Sequence, residues 1–459
     1  MAIRPRPSIS IRLSDDSFIV PPGSLFQTET VAGCWAPDVS VLATASEIQN
    51  GFMRIESQGD WFSRVKTLAE YASGVTEGNS DRFNIIMSGI SGSNGVTTGG
   101  AIGLLNGSYG TTYTINPISG ASGATLEFSA TNKFRPYWWA IQNVLTYGAP
   151  VVVGFDGQGF TGQLGENPGG SLVSPLSTVS DFASTAFGYD VVFQPFHTDA
   201  GWSGSSYTQP VDRANVLTIV SELESSESPV IGIINAGLTG NLSADANIDL
   251  PSGADEYIIA TAGFKNHLNS TANTTTASLI STPLCTDLAG IICRNDNNNF
   301  PWTSPAGPQR GQVLNSVSLS RKLSTSQQDR LYSLNVNPFI SVKGSGSFLF
   351  GDITNAADTS SLIAINVIRT IIYIKSQLLP LANAVLFEFN NEQSRNLFTL
   401  QAEGLLSRIQ SQGGLTEFSV VCDETNNPQQ VVDSKTFVAD VRVKIPGSIN
   451  YITINLTNT

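Results

Sequence analysis

The sequence predicts a multi-domain α+β and α/β protein whose two terminal segments are strands without a local partner. Three observations carry that prediction. Beyond residue 180, short apolar runs alternate with helical stretches, the βαβ rhythm of a sheet covered by helices. Residues 91–130 break the rhythm, being rich in Gly, Ser and Thr around short strand signals, as β-hairpins in an exposed insertion are. Finally, the first and last ten or so residues alternate apolar and polar side chains with period two, each cut off from the rest by a Pro-Gly stop.

Taken in order, Pro7 to Ser14 sets Ile9, Ile11 and Leu13 between polar neighbours, and Pro21-Pro22-Gly23 stops it. An isolated strand must satisfy its backbone ladder somewhere, in its own chain or in another. A helix is expected around Trp61 to Tyr71, then strands at Thr112–Ile115 and Ala124–Phe128. A helix over Phe134 to Tyr147 ends at Gly148, and Val151 to Phe155 reads as a buried strand. Strands follow at Tyr189–Phe193, Val230–Ile234 and Tyr257–Ala260, with a helix over Asp212 to Glu224. Short strands near Val313 and Phe339 flank a helix over Ser324 to Leu334.

The last hundred residues read most clearly. Ser360 or Ser361 caps a helix carrying Ile363, Val367, Ile371, Ile374 and Leu378, and Ala384 to Phe389 reads as a strand. Asn390 caps the next helix with Gln393 in the capping-box position, Leu397, Leu400, Leu405 and Ile409 form its apolar face, and Gly413-Gly414 ends it. Strands close the chain at Glu417–Cys422, Thr436–Lys444 and Ile449–Leu456.

Composition narrows the class. With 41% hydrophobic residues in 459, overall disorder is excluded, and the length allows two to four domains. Only 13% of residues are charged, about half the usual ~25%. A surface so poor in charge loses its water at low cost, which suits large protein–protein contacts. The net charge of −13, without a basic cluster, argues against nucleic acid and anionic membranes as partners. Leu362 to Phe389 is the most apolar stretch, but Arg369, Lys375 and Pro380 interrupt it, so no direct membrane insertion is expected. Polar residues from Ser10 to Asp16 stand where a secretory signal needs an apolar run. Cys34, Cys285, Cys293 and Cys422 are expected as free buried thiols, formed in a reducing cell interior.

Catalytic and cofactor motifs are weak. Gly157-Gln-Gly159-Phe-Thr-Gly162 matches GxGxxG, but the chain continues into Pro168-Gly-Gly170 where a dinucleotide site needs a helix start, so a flexible loop is the reading. His197 and His267 stand alone, without zinc-ligand spacing. Asp296 to Phe300 lacks the Gly and distal Glu of a calcium loop and reads as a turn. No catalytic residue, cofactor or metal is expected.

The C-terminal motifs, by contrast, resemble one family. Ile365-Asn-Val-Ile-Arg-Thr-Ile-Ile-Tyr-Ile374 is similar to the INVRR helix of contractile tail sheath proteins, with Ile368 standing where many members have a second Arg. Val385 to Asn390, Gly413 to Asn427 and Lys444 to Ile452 resemble that family's next elements in the same order. Upstream, Val31-Ala-Gly-Cys-Trp-Ala-Pro37, Phe134 to Val153 and Gly311 to Asn337 resemble it more thinly, and residues 50–130 match none of its motifs, as the variable decorations such proteins carry would.

The resemblance implies a structural subunit of a myovirus-type phage tail. It would stack as hexameric rings around a tail tube protein, work with baseplate and tail terminator proteins, and contract to drive the tube through the host envelope. Such a protein assembles in the host cytoplasm and ends in the virion tail. A sheath from a phage-derived secretion or injection system, and a non-contracting virion protein, are the alternatives.

The expected division is an arm over 1–22, an α/β region over 23–180 with the insertion at about 50–130, and a central core over 181–350. A C-terminal sheath domain over 351–446 and an arm strand over 447–459 complete it. In that family the arms add strands to neighbouring subunits. Ile9, Ile11, Leu13, Ile452, Ile454 and Leu456 are then the arm residues, and Phe418, Val420, Cys422, Phe437, Val441 and Val443 mark the acceptor strands. Arg395 and Arg408 are the candidate contacts to the tube.

Overall fold

The computed structural model describes residues 30–36, 52–64, 113–117, 124–128, 135–155, 179–183, 188–194, 209–226, 228–238, 248–249, 255–268, 279–357, 360 and 362–447. The expected arm residues and the GxGxxG loop lie outside them.

The chain runs β1 (Ala32–Ala36), β2 (Phe52–Ile55), α1 (Gln58–Arg64), β3 (Tyr113–Pro117), β4 (Ala124–Phe128), α2 (Arg135–Thr146), β5 (Val151–Phe155), α3 (Val179–Ala183), β6 (Val191–Phe193), α4 (Gln209–Ser225) and β7 (Ile231–Leu238). It continues through β8 (Ile248–Asp249), β9 (Ile258–Ala262), β10 (Phe264–Leu268), β11 (Leu279–Pro283), α5 (Leu284–Asn298), β12 (Ser318–Leu319), α6 (Thr325–Tyr332), β13 (Val336–Asn337), β14 (Phe339–Val342) and β15 (Gly346–Leu349). The last elements are α7 (Ile365–Val385), α8 (Glu392–Ser411), β16 (Glu417–Val421), α9 (Gln429–Asp433) and β17 (Asp440–Lys444).

An eight-stranded sheet organises the larger part, in the order β13-β9-β7-β6-β1-β5-β2, with β8 beside β7. Its inner pairs are parallel, and β2 closes one edge antiparallel to β5. Val151 to Val153, Val191 to Phe193 and Ile258 to Ala260 are wholly buried, because helices cover both faces. On one face α5 packs against α2 and across β1, β6, β7 and β9, while α4 packs on β6 and β7 together with α3. β1 lies between β5 and β6, so the boundary expected at 180 falls inside this sheet. One parallel ladder joins the two regions that the sequence reading separated.

Other expectations hold locally. β3 and β4 pair antiparallel as a hairpin, and α2 stops at Gly148, whose φ of +73° is open to glycine. α6 begins with a capping box between Ser324 and Gln327.

Around α7 and α8 the structure corrects four readings. The helix starts at Ile365 after Ala364, not from Ser360 or Ser361. Ala364 bridges Ile353, and Thr354 N–H donates to Ile363 O at 2.7 Å, so this stretch is held extended until the ladder ends. Ala384 to Phe389 forms no strand. α7 continues to Val385, Phe387 turns the chain at φ +72°, and Phe387 and Phe389 are 82% and 84% exposed. Asn391, not Asn390, caps α8 by accepting from Ser394 N–H, while Asn390 holds Thr436 O. The buried face of α8 is Arg395, Phe398, Ala402, Leu406 and Ile409; Leu397 and Leu400 face water. Phe398 sets that phase by packing edge-on against Phe437.

Candidate assembly site

Two apolar cores are present among the described residues, and α7 belongs to both. Its first turns place Ile365, Ile368 and Ile372 in the sheet core, whereas Ile374 and Leu378 enter a second core with Phe398, Ala402, Leu406, Ile409, Leu415, Cys422 and Val441. Twenty-one helical residues span about 31 Å at 1.5 Å per residue. Trp302 locks the junction: it stacks on Phe300, meets Tyr373 edge-on, and donates from Nε1 to Gln412 O at 3.2 Å. Gly414 makes room for it, since a Cβ there would lie 2.7 Å from Trp302 Cδ2.

The sheet core contains a buried ion pair. Lys265 and Asp287 are fully buried at 2.7 Å, and the ammonium also donates to Asn143 Oδ1 and Leu314 O, which satisfies all three protons. Tyr147 donates to the same Asp287 oxygen at 2.6 Å and accepts from Leu314 N–H. Burial, reinforced by Asp287, pushes the Tyr147 hydroxyl pKa well up. Tyr147 reaches that position because Gly290 offers no Cβ in α5; one would sit 2.4 Å from the ring. This cluster is closed on every side by protein and joins α2, β10 and α5.

A second pair ties α7 to the sheet core. Arg369, 4% exposed, donates from Nε to Asp296 Oδ2 at 2.8 Å and from Nη2 to the same oxygen. Asp296 is therefore the helical end of a buried ion pair, not part of an exposed turn. Burial acts to lower the Arg369 pKa, and the carboxylates of Asp296 and Asp190 reverse this and raise it. Burial raises the Asp190 carboxyl pKa, with Arg369 and the Val31 N–H opposing.

The expected acceptor residues come together on one small element. β16 and β17 form a two-stranded antiparallel sheet, pairing Phe418 with Val443 and Val420 with Val441. Val441 and Cys422 are buried, and Phe418, Val420, Phe437 and Val443 pack half-buried on the second core. Phe437 lies ahead of β17 and not within it. Burial pushes the Cys422 thiol up to about 12, so it is an inert packing group. All six side chains thus fix the hairpin onto its own helices, and neither hairpin strand has a further partner among the described residues. Arg395 is buried and donates to Asn390 Oδ1, whereas Arg408 is on the surface.

None of the four cysteines forms a disulfide and all are buried, and His267 is buried against Thr282 and Trp139. Among the described residues no group of His, Cys, Asp or Glu could hold a metal ion, and no helix is long and apolar enough to cross a membrane. Sequence reasoning missed Thr30, Trp302 and Asn366 and read Asp296 as a turn; the one signal pointing to them was Arg369, a charge inside an apolar helix.

Residues 357–459 match the family model of the phage tail sheath C-terminal domain. The tail sheath protein of Vibrio phage KVP40 is 40% identical over 177 residues, 39% of this chain and 26% of that protein. The tail sheath protein of Enterobacteria phage T4 is 39% identical over 177 residues, 27% of its length. The matched stretch therefore spans about a quarter of these curated relatives. Among solved structures, a cryo-EM structure of the anti-feeding prophage baseplate shares the fold with a TM-score of 0.59 at 12% identity, covering all of both chains. The sheath complex of an extracellular contractile injection system, PVC, in its contracted state gives 0.59 at 11% identity, over 100% of this chain and 98% of that one.

Proposed function

We propose that the protein, whose residues 357–459 match the phage tail sheath C-terminal domain, is a structural subunit of a contractile tail sheath. In this reading it polymerises as hexameric rings around a tail tube, anchored on a baseplate, and shortens to drive the tube through the host envelope. The observation that carries the reading is the hairpin β16–β17, a two-stranded sheet with no further strand among the described residues. Such a pair is marginal alone, and added strands supply main-chain hydrogen bonds at either edge.

The strands that complete it are residues 7–14, with Ile9, Ile11 and Leu13, and residues 449–456, with Ile452, Ile454 and Leu456, from neighbouring copies. Backbone pairing of this kind survives a change of subunit orientation that would break a rigid side-chain interface. Exposed Phe387, Phe389, Leu397 and Leu400 support assembly as well, since a lone chain leaves them in water. Shortening requires a starting lattice held by a kinetic barrier and a final lattice in which each subunit buries more of its surface.

Negative-stain electron microscopy of the concentrated protein tests this reading. Hollow striated tubes are expected, and deletion of residues 1–14 should leave a folded monomer that forms none. Tubes from the truncated chain would contradict the arm assignment, and monodisperse full-length monomers under all conditions would contradict the sheath reading. The fold likeness to injection-system structures keeps a sheath of that kind as the second reading. Tubes found on particles without a genome-filled head would favour it.

A further inference from the structure

We infer that Thr30 and Pro446, the residues leading out to the two chain ends, are tied to one turn of α7, directly through Arg369 and Asn366 and, for Thr30, also through Asn297 at the end of α5, so that both strands proposed to pass between copies pull on the same junction. The inference rests on the sheath reading for its purpose, but its geometry stands in the single chain. Thr30 is the first described residue and Gly447 the last. Asn297 clamps the Thr30 peptide from both sides, accepting from its N–H at 2.7 Å and donating to its carbonyl at 3.3 Å. Arg369 donates to Thr30 Oγ1 at 3.4 Å while bound to Asp296, and the next amide, Val31 N–H, donates to Asp190 at 3.0 Å.

One turn earlier on α7, Asn366 is 2% exposed and donates from Nδ2 to Pro446 O at 3.4 Å and to Trp302 O at 3.2 Å. Residues three apart share a helix face, so Asn366 and Arg369 are neighbours on one side of α7. Both carry a buried polar atom without a partner among the described residues, Asn366 Oδ1 and Arg369 Nη1. α7 is also the element whose side chains enter both cores. A pull on residues before Thr30 or after Pro446 is therefore delivered to the end of α5 and to the helix that joins the cores.

Asn297 is exposed, so Asn297→Ala removes the clamp without opening a cavity. Hydrogen exchange on the full-length monomer is expected to show the Thr30 amide about tenfold faster in that variant, the factor that loss of hydrogen bonds of ordinary strength gives. Asn366→Ala is expected to speed the Ile445 and Gly447 amides and leave Thr30 unchanged. Arg369→Gln is expected to speed both sets, since it loosens the shared turn. If Arg369→Gln does not fold, Thr30→Val reads the same bond from the other side and should speed the Thr30 and Val31 amides.

Each folded variant is expected to need a protein concentration several-fold above wild type before it pellets as polymer, and unchanged pelleting overturns the role in assembly. A Thr30 amide that exchanges equally fast in wild type and Asn297→Ala overturns the anchor itself. A wild-type chain that never pellets contradicts the sheath reading, and the monomer exchange data still decide the anchor.

Discussion

The two cores joined by α7 solve the edge problem of β-structure in opposite ways. In the sheet core, Ile233, Ile258 and Val192 are wholly buried, helices cover both faces, and β2 ends one side of the ladder as a short antiparallel strand. In the C-terminal core, β16 and β17 have one half-buried face and only each other for partners among the described residues. The first has eight strands among the described residues. The second has the form of an element that becomes complete in an assembly. The same helix serves both, so the proposed assembly at the hairpin would be tied through α7 to the sheet core.

The largest effect is expected where the closed core depends on a buried charge. Lys265→Met leaves Asp287 charged and unpaired at full burial, which costs about 3–5 kcal/mol. Denaturant unfolding should show that loss in the sheet core; a change under about 1 kcal/mol would mean the pair is not buried as described.

Two substitutions on α7 then separate the cores. Ile368→Ala and Leu378→Ala each remove a buried side chain at about 2–5 kcal/mol. The first is expected to speed hydrogen exchange across β7 and β9, the second across α8 and β16. Identical patterns from both would mean that the cores unfold as one unit.

Smaller still, Phe389→Ser at 84% exposure is expected to change stability by less than about 0.5 kcal/mol. It should nevertheless reduce polymer formation, read by sedimentation. Normal polymer with this variant would remove Phe389 from the assembly surface.

The smallest effect is a pH slope. The raised Asp190 carboxyl pKa means that the folded chain holds this proton more tightly than the unfolded one. Its contribution is thus fully present below the ordinary carboxylate value near about 3.9 and is lost as pH rises through the raised value. Asp190→Asn should flatten that part of the stability–pH curve, and parallel curves for wild type and variant would contradict it.

What the sequence made legible follows from what burial does to a pattern. Strands buried on both faces, such as the one carrying Val151 to Val153, appear as unbroken apolar runs that need no long-range information. The stops at Gly148 and Gly413, both with positive φ, and the capping box at Ser324 are equally local. The errors lie where tertiary partners decide. Ala384 to Phe389 has strand composition but no strand beside it, so its first residues finish α7 and its phenylalanines reach water. Leucines on α8 occur on two faces, and only the packing of Phe398 on Phe437 chooses between them. Asp296 looks like a turn residue until Arg369, 73 positions later, is brought against it. The hairpin expected to act as acceptor is legible because its alternation is local; its side chains turn inward, so the proposed arms would have to use its backbone edges.

The central claim is that β16–β17 is completed by strands of other copies. A cryo-EM reconstruction of the assembled tubes tests it most directly. The account predicts backbone density from residues 7–14 and 449–456 of neighbouring chains hydrogen-bonded along the free edges of the hairpin. Edges left bare in the tube, or filled by the same chain's own termini, would contradict it.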